Sequence, residues 1–244
     1  MNPANLSGLN GRRKMNNSPF NDLAPEYDAW FDEKGKLIFE IEVRAFQKIL
    51  PDLPKPWLEV GAGSGRFAQA LGIDTGLEPS IEMVKIARRR GINTFWSRGE
   101  QQVFEEALFG TVFLITTLCF LESPLEVLKE AYRILQPGGK VVLGLILKDS
   151  PWGQHYQQEK MEGHRIYKHA TFYQCNEVAR LTIQAGFMGE RIISALFQKP
   201  GEVKHMEEPR EGYYREAGFV IVVAEKQSEE TLSNTNSDQD RNKK

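Results

Sequence analysis

Short apolar runs alternate with amphipathic stretches along most of the chain. The apolar runs have the length of strands, and the segments between them repeat apolar residues every three or four positions, as helices do. Strands are predicted at 57–60, 76–78, 93–96, 112–116, 141–147, 191–197 and 219–224. This alternation is typical of an α/β fold with a doubly wound parallel sheet, right-handed crossovers and a ligand at the carboxyl ends of the strands.

Capping residues predict where several helices begin and end. Ser80 is expected to cap the helix after the second strand, and Asn176 the last long helix. The segment Ser123-Pro124-Leu125-Glu126 predicts a capping box with proline in the first turn. Pro137-Gly138-Gly139 is expected to stop that helix. No helix is evident between the last two strands, which predicts that the final strand runs antiparallel.

Three glycines at alternate positions, Gly61, Gly63 and Gly65, follow the first predicted strand and precede a helix. Glycine at such a turn lets bare backbone approach a nucleotide-like ligand. Glu78 ends the second strand, 17 positions after Gly61. A carboxylate there can accept hydrogen bonds from both hydroxyls of a ribose, although an ordinary loop carboxylate is the alternative. Together the loop and the acid predict a ligand that contains a nucleoside.

The glycine spacing distinguishes this loop from two common types of nucleotide-binding loop. A dinucleotide fingerprint places its third glycine at position 66, where this chain has Arg66. A phosphate-binding P-loop continues with Gly-Lys-Ser/Thr, which does not follow these glycines. Neither a typical dinucleotide site nor a P-loop is therefore predicted.

The segment from Glu59 to Gly65 resembles motif I of the class I S-adenosylmethionine-dependent methyltransferases. With three further ordered matches, at 27–31, 78–83 and 131–139, the chain is most similar to the methyltransferase type 11 group, over about residues 21–225. The resemblance implies a seven-stranded Rossmann-like sheet, mostly parallel with an antiparallel last strand. It also implies S-adenosylmethionine as the cofactor, with the glycine loop around its amino-acid end.

The resemblance also assigns roles to residues. Glu59 would face the cofactor's amino group, or alternatively a helix, and Glu78 would hold the ribose. Met83 would lie near the adenine or in the core, and Tyr27 would close over the cofactor or simply pack. The implied cofactor-binding residues are Tyr27, Glu59, Gly61, Gly63, Glu78, Pro79, Met83, Gly99, Glu100, Ile115 and Thr116.

Two positions depart from the family pattern. The acid that usually follows the third strand and accepts from the adenine amino group is replaced by Arg98. Adenine recognition is then expected to pass to Glu100 or to the backbone of Gly99. The usual Phe-Asp pair before the fourth strand is Phe109-Gly110. These departures leave open a protein that binds the cofactor without turnover.

Aromatic and imidazole side chains are dense in the insert after the fifth strand, residues 148–173. His155, His164 and His169 lie there, but their spacing matches no common metal-ligand motif, so no metal is expected. The insert is predicted to form a lid and an acceptor pocket, with surface packing and a metal site as alternatives. Thr117 and Cys119 also match acceptor-side positions, although Cys119 in an apolar stretch is first a small buried hydrophobe.

No catalytic residue is assigned, because a sulfonium methyl is already activated and mainly needs alignment and exclusion of water. An acceptor that is neutral at pH 7 needs a base, whereas an anionic acceptor does not. The residue types alone do not decide whether the acceptor is neutral or anionic.

Composition indicates the setting. A net charge of −2 gives no electrostatic reason to expect a nucleic-acid partner, and no apolar run approaches the 18 residues of a membrane span. Two cysteines without a disulfide framework favour a reducing cytoplasm. Residues 1–20 and 227–244 are predicted to be a disordered leader and tail around one methyltransferase domain at 21–226. A monomer or homodimer is expected.

The predicted function is a cytoplasmic S-adenosylmethionine-dependent methyltransferase that acts on a small-molecule acceptor. One alternative is a cofactor-binding regulatory or partner subunit without turnover. The other is an NAD-dependent oxidoreductase, which Arg66 and the C-terminal strands disfavour.

Overall fold

One sheet of eight strands dominates the computed structural model, which describes Ser18, residues 20–101 and residues 103–227. In chain order the strands are β1 (Trp57–Val60), β2 (Thr75–Glu78), β3 (Asn93–Trp96), β4 (Phe109–Ile115), β5 (Leu135–Leu145), β6 (Phe187–Ala195), β7 (Arg210–Glu211) and β8 (Phe219–Lys226).

The strand order across the described sheet is β3-β2-β1-β4-β5-β8-β6-β7. The first five strands, β1 through β5, run parallel to their neighbours among themselves. Strand β8 runs antiparallel to both β5 and β6. The doubly wound, mostly parallel sheet with an antiparallel last strand is therefore confirmed. The addition to the seven expected strands is β7, a two-residue strand paired with β6 at the sheet edge.

Seven described helices pack around the sheet: α1 (Ala24–Trp30), α2 (Lys36–Gln47), α3 (Arg66–Leu71), α4 (Ile81–Arg89), α5 (Pro124–Ile134), α6 (Pro151–Met161) and α7 (Cys175–Gln184). The longest of these has 12 residues, and a helix needs about 20 to cross a bilayer, so none of them can span a membrane. The predicted leader and tail lie outside the described residues, apart from Ser18, Phe20 and Gln227.

The core has two halves, one on each face of the sheet. Along β4, Phe113 and Ile115 point to the half that includes α2 and α3, and Val112 and Leu114 point to the half that includes α5 and α7. The strands β5 and β8 divide their apolar residues in the same alternating way. Because both faces are covered, the central strands are apolar throughout, as in other parallel sheets.

Two predicted helix starts are corrected. The side chain of Ser123 makes no capping hydrogen bond, and Glu126 pairs with Lys129 at 3.0 Å instead of reaching back to the cap. Helix α7 begins one residue before Asn176, and Gln174 and Glu177 form its capping box, with Gln174 N–H donating to Glu177 Oε2 at 2.7 Å. The cap by Ser80 is confirmed, since its Oγ accepts from Met83 N–H at 3.3 Å.

The predicted stop at Pro137-Gly138-Gly139 also needs correction. Helix α5 already ends at Ile134, and Leu135 is extended and pairs with Phe109 of β4. The Pro-Gly-Gly segment therefore lies inside β5. Pairing with the neighbouring strand, and not the proline, decides where this helix ends.

Gly110, one of the two departures from the family pattern, has a steric explanation. It lies at a register irregularity between β4 and β5, and its N–H donates to Pro56 O at 2.9 Å. A Cβ at this position would lie 2.5 Å from Pro54 O and 2.7 Å from Lys55 O. The crossing backbone therefore leaves no room for a side chain here.

We expect Gly110→Ala to lower the free energy of unfolding by about 2–3 kcal/mol, because backbone atoms would have to move. The matched control is Gly72→Ala, where a Cβ meets nothing within 4 Å and only the φ of 74° is unfavourable. That control should cost about 1 kcal/mol, the lower end of the cost of a left-handed conformation for alanine. Denaturant titrations of the two variants check this, and equal losses would contradict the steric account.

Candidate active site

A cavity of about 730 Å³ opens at the carboxyl ends of β1, β2 and β4, within the size range of small-molecule sites. All eleven residues predicted to bind the cofactor line it. The fold thus brings together positions that span 90 residues of sequence. Further lining residues that the motifs did not single out for the cofactor include Phe20, Phe31, Ser64, Phe67, Phe120, Leu121 and Glu122.

The glycine loop forms the base of the cavity. Gly61 N–H and Ala62 N–H both donate to Leu77 O, at 2.7 and 3.1 Å, which fixes the loop to β2. Gly61 has a φ of 73°, and a Cβ there would lie 2.4 Å from the side chain of Thr117. Gly63 has a φ of 53°, and a Cβ there would project into open space. Glycine at position 63 therefore leaves room for a ligand against the backbone.

Glu78 is held from two sides. Its Oε2 accepts from Gly63 N–H at 2.9 Å, and its Oε1 accepts from Ser80 N–H at 2.8 Å. Burial raises the pKa of Glu78 to about 7, even though both amide hydrogen bonds favour the charged form. A carboxylate offers about four acceptor positions, so two remain for hydroxyl donors in the cavity.

Glu59 has one engaged oxygen and one orphan. The N–H of Ala68, in the first turn of α3, donates to one carboxyl oxygen, while Oε2 is buried with no hydrogen-bond partner among the described residues. The helix-facing alternative is thus correct for one oxygen only. Burial raises the pKa of Glu59 well above its usual value, and the charge of Glu78 adds to this effect. A cation in the cavity would satisfy the orphan oxygen.

Helix α1 closes one side of the cavity through ion pairs. Asp28 accepts from Arg66 Nε at 2.9 Å and from Arg90 Nη2 at 2.7 Å. Arg66 also pairs with Asp32, and Arg90 Nη1 donates to Ser64 O at 2.7 Å. Arg66, which departs from the dinucleotide fingerprint, therefore joins α1 to the helix that follows the glycine loop.

Tyr27, on the same helix, is partly buried against the end of β4. Its hydroxyl hydrogen-bonds with Thr116, and its ring meets those of Phe20 and Phe31 edge-on at 6.0 and 5.3 Å. Burial raises its pKa. Tyr27 both packs and lines the cavity, so its two predicted roles coexist. The same holds for Met83, which is 1% exposed and still borders the cavity.

Comparison with known proteins identifies the family. A family model described as "Methyltransferase domain" matches residues 33–191. An uncharacterized protein from Methanocaldococcus jannaschii is 37% identical over 207 residues, which cover 85% of this chain and 98% of that protein. An uncharacterized protein from Mycobacterium tuberculosis is 36% identical over 212 residues, covering 85% and 73%.

A solved structure agrees with this match. It is a SAM-dependent methyltransferase from Thermotoga maritima, described as a possible histamine N-methyltransferase. It superposes with a TM-score of 0.80 at 33% identity, covering 86% of this chain and 99% of that one. The chain belongs to the class I S-adenosylmethionine-dependent methyltransferases. The type 11 group that it resembles is close to the matched family.

In this methyltransferase, Arg98 connects two loops at the cavity. Its Nε lies 3.4 Å from Glu100 Oε2, and its Nη2 lies 3.1 Å from Glu122 Oε2. A Cβ on the intervening Gly99 would lie 3.0 Å from Val127, so bare backbone forms the wall there. Arg98 therefore orients the carboxylate of Glu100 next to that wall. The family pattern usually has an acid at the position of Arg98.

The insert of the methyltransferase divides between packing and cavity. Trp152 and Tyr156 of α6 are buried in the core, whereas His169 lines the cavity. No group of three or more metal-ligating side chains that could hold an ion occurs among the described residues. Thr117 also lines the cavity, and Cys119 lies outside it, where burial raises its pKa to about 12.

We expect Asp28→Asn to lower the free energy of unfolding at pH 7 by about 1–3 kcal/mol, because Arg66 and Arg90 each lose one charged partner. Partial burial alone would raise the pKa of Asp28, but hydrogen bonds from Arg66 and Arg90 outweigh it and lower the pKa to about 2. Since the folded-state pKa is depressed, this stability is present above about pH 4 and disappears as the pH falls toward 2.

Denaturation at pH 7 and pH 3 measures this effect, and the gap between wild type and variant should narrow at the lower pH. The control is Glu82→Gln, which breaks the exposed Glu82–Lys85 pair and should change stability by about 0.5 kcal/mol or less. A gap for Asp28→Asn that is independent of pH would contradict the ion-pair account.

We expect Glu59→Gln to stabilise the ligand-free protein increasingly as the pH rises. The folded-state pKa of Glu59 is raised, so the wild-type protein loses stability above the unfolded-state value of about 4.5. The uncharged amide introduced by Glu59→Gln does not ionise, so the variant does not lose this stability. Melting temperatures of variant and wild type at pH 5 and pH 8 test the sign, and a variant that is relatively less stable at pH 8 would refute it.

Proposed function

We propose that this chain transfers a methyl group from S-adenosylmethionine to a small-molecule acceptor by in-line displacement. The observation that carries the proposal is the orphan Oε2 of Glu59, buried on the same cavity as the braced carboxylate of Glu78. A buried acceptor without a partner is costly and usually marks a ligand. An amino group and a ribose are the ligand groups that these two acids fit best.

The residues present fit the cofactor along its length. Glu59 would hold the amino group, and the backbones of Gly61, Gly63, Ile115 and Thr116 would meet the methionine portion. Glu78 would hold the ribose, and Tyr27 would cover the cofactor. The adenine would lie among Pro79, Met83, Gly99 and Glu100. The open space over Gly63 leaves room for the methionine portion.

The bound cofactor supplies a methyl group already activated on a positively charged sulfur. The chain's own contribution is to align the acceptor with that group and to exclude water. The aromatic residues Phe20, Tyr27, Phe31 and Phe120 also line the cavity. They favour a small acceptor with an apolar or cationic surface.

The Thermotoga maritima structure supports a small acceptor, since that protein is described as a possible histamine N-methyltransferase. Three expectations stay predictions: a cytoplasmic location, a monomer or homodimer, and a leader and tail that flank residues 21–226. Family membership sets aside the oxidoreductase alternative.

The non-catalytic alternative rests on two departures from the family pattern, and both have another explanation. Gly110 is explained by the backbone of Pro54 and Lys55 and not by a lost function. Arg98 places a carboxylate, Glu100, beside the position that the family acid would occupy. Neither departure therefore argues against turnover.

We expect the wild-type protein to bind S-adenosylmethionine and S-adenosylhomocysteine in calorimetric titrations, and NAD not at all. Glu78→Ala should weaken binding of both at least about tenfold, because two ribose hydroxyls lose their acceptor. Glu82→Ala, four residues later with an exposed side chain that pairs with Lys85, is the matched control and should bind normally. Binding of NAD alone, or of nothing, would refute the proposal.

A further inference from the structure

His169 stands apart from the other described histidines because it lines the cavity. It ends the short 3-10 turn Tyr167–His169 of the insert. The ring of Tyr167 lies 4.2 Å from the ring of Tyr156, which is buried in the core. On the other side, Thr171 N–H donates to Cys119 O at 2.7 Å. These contacts hold the backbone of His169 beside the loop after β4.

The imidazole of His169 is exposed, and the described structure gives it no ion pair, hydrogen bond or ring contact. Other groups on the cavity wall are already engaged. Glu78 accepts from two backbone amides, and Glu100 and Glu122 both face Arg98. Arg98 itself can only donate.

The remaining titratable and charged groups around His169 are also committed. Glu59 is assigned to the cofactor's amino group, and the hydroxyl of Tyr27 is bonded to Thr116. Arg66 is paired with Asp28 and Asp32. Lys160 of α6, which packs against this turn, donates to Ala170 O. Lys168, the neighbour of His169 in the turn, is exposed and carries no proton-accepting group at neutral pH.

We infer that His169 is the base that takes the proton of the methyl acceptor, and that the acceptor is a small molecule with an N–H or O–H nucleophile. This rests on the proposed function. The acceptor's lone pair forms the bond to the methyl carbon, and the carbon–sulfur bond breaks with its electrons left on sulfur. The acceptor's proton passes to the free imidazole nitrogen, and the exposed ring returns it to solvent.

The chemistry agrees with the position of the residue. Ten of the eleven predicted cofactor-binding residues lie between positions 59 and 116, at the strand ends, whereas His169 approaches from the insert. Imidazole is the side chain suited to exchange protons near neutral pH. An acceptor that is already anionic would need no such group.

The first test is an NMR titration of the four histidines in complexes with S-adenosylmethionine and with S-adenosylhomocysteine. The two ligands differ by one methyl group and one positive charge on sulfur. If His169 faces the reacting methyl, that charge should lower its titration midpoint by about half a pH unit relative to the S-adenosylhomocysteine complex. His169→Gln assigns the signal, and His155 and His205, which lie outside the cavity, should show no difference.

Equal midpoints for His169 in two complexes that both form would overturn the inference and leave the proposed function intact. Failure of both ligands to bind would overturn both. His169→Gln should keep the affinity for S-adenosylhomocysteine within about threefold, since the residue is placed on the acceptor side.

The second test measures S-adenosylhomocysteine formation with a panel of small amines, imidazoles, phenols and alcohols. His169→Gln should lower kcat about a hundredfold with KM little changed, and should remove the acid limb of the pH profile. His155→Gln, on the same insert, is the control and should behave as wild type. Full activity of His169→Gln would overturn the role of His169. A panel without turnover by protein that binds the cofactor would overturn the acceptor class.

Discussion

The carboxylate of Glu78 is the interaction on which the site depends. It accepts from the backbone of Gly63 in the glycine loop and from Ser80 at the start of α4, so it joins the ends of β1 and β2. Ser80 in turn donates from its Oγ to Asn21 at 2.8 Å, which brings the N-terminal segment to the same point. A single buried acid therefore joins the glycine loop to the start of α4, and Ser80 extends the connection to the N-terminal segment.

The other constraint is electrostatic and lies beside the glycine loop. Asp28 of α1 receives Arg66 from α3 and Arg90 from the end of α4, and Arg90 also binds the loop carbonyl of Ser64. The short α1, with only seven residues, could not hold this position by its own helical stability. The ion pairs fix it there, and Tyr27 is thereby placed over the cavity.

Much of this arrangement could be predicted from the sequence, because the strands and the glycine loop carry local signals. The bounds of β3 agree with the predicted ones, and all eleven residues predicted to bind the cofactor line one cavity. The predictions fail where tertiary contacts override local ones. Leu135 is drawn into the sheet by Phe109, and Gln174 takes the cap that Asn176 was expected to form. The ion-pair role of Arg66 depends on Asp28, 38 positions away, which no local pattern reveals.

The two buried acids of the site lower the stability of the protein and at the same time select its ligand. Burial raises the pKa of both Glu59 and Glu78, and the charge of Glu78 raises the pKa of Glu59 further. Two carboxylates without a cation between them are unfavourable neighbours, so the raised pKa favours a protonated Glu59. A ligand with an amino group would replace that proton by a positive charge held in place. The orphan oxygen then becomes a source of binding selectivity, because a ligand that lacks the charge leaves it unpaired.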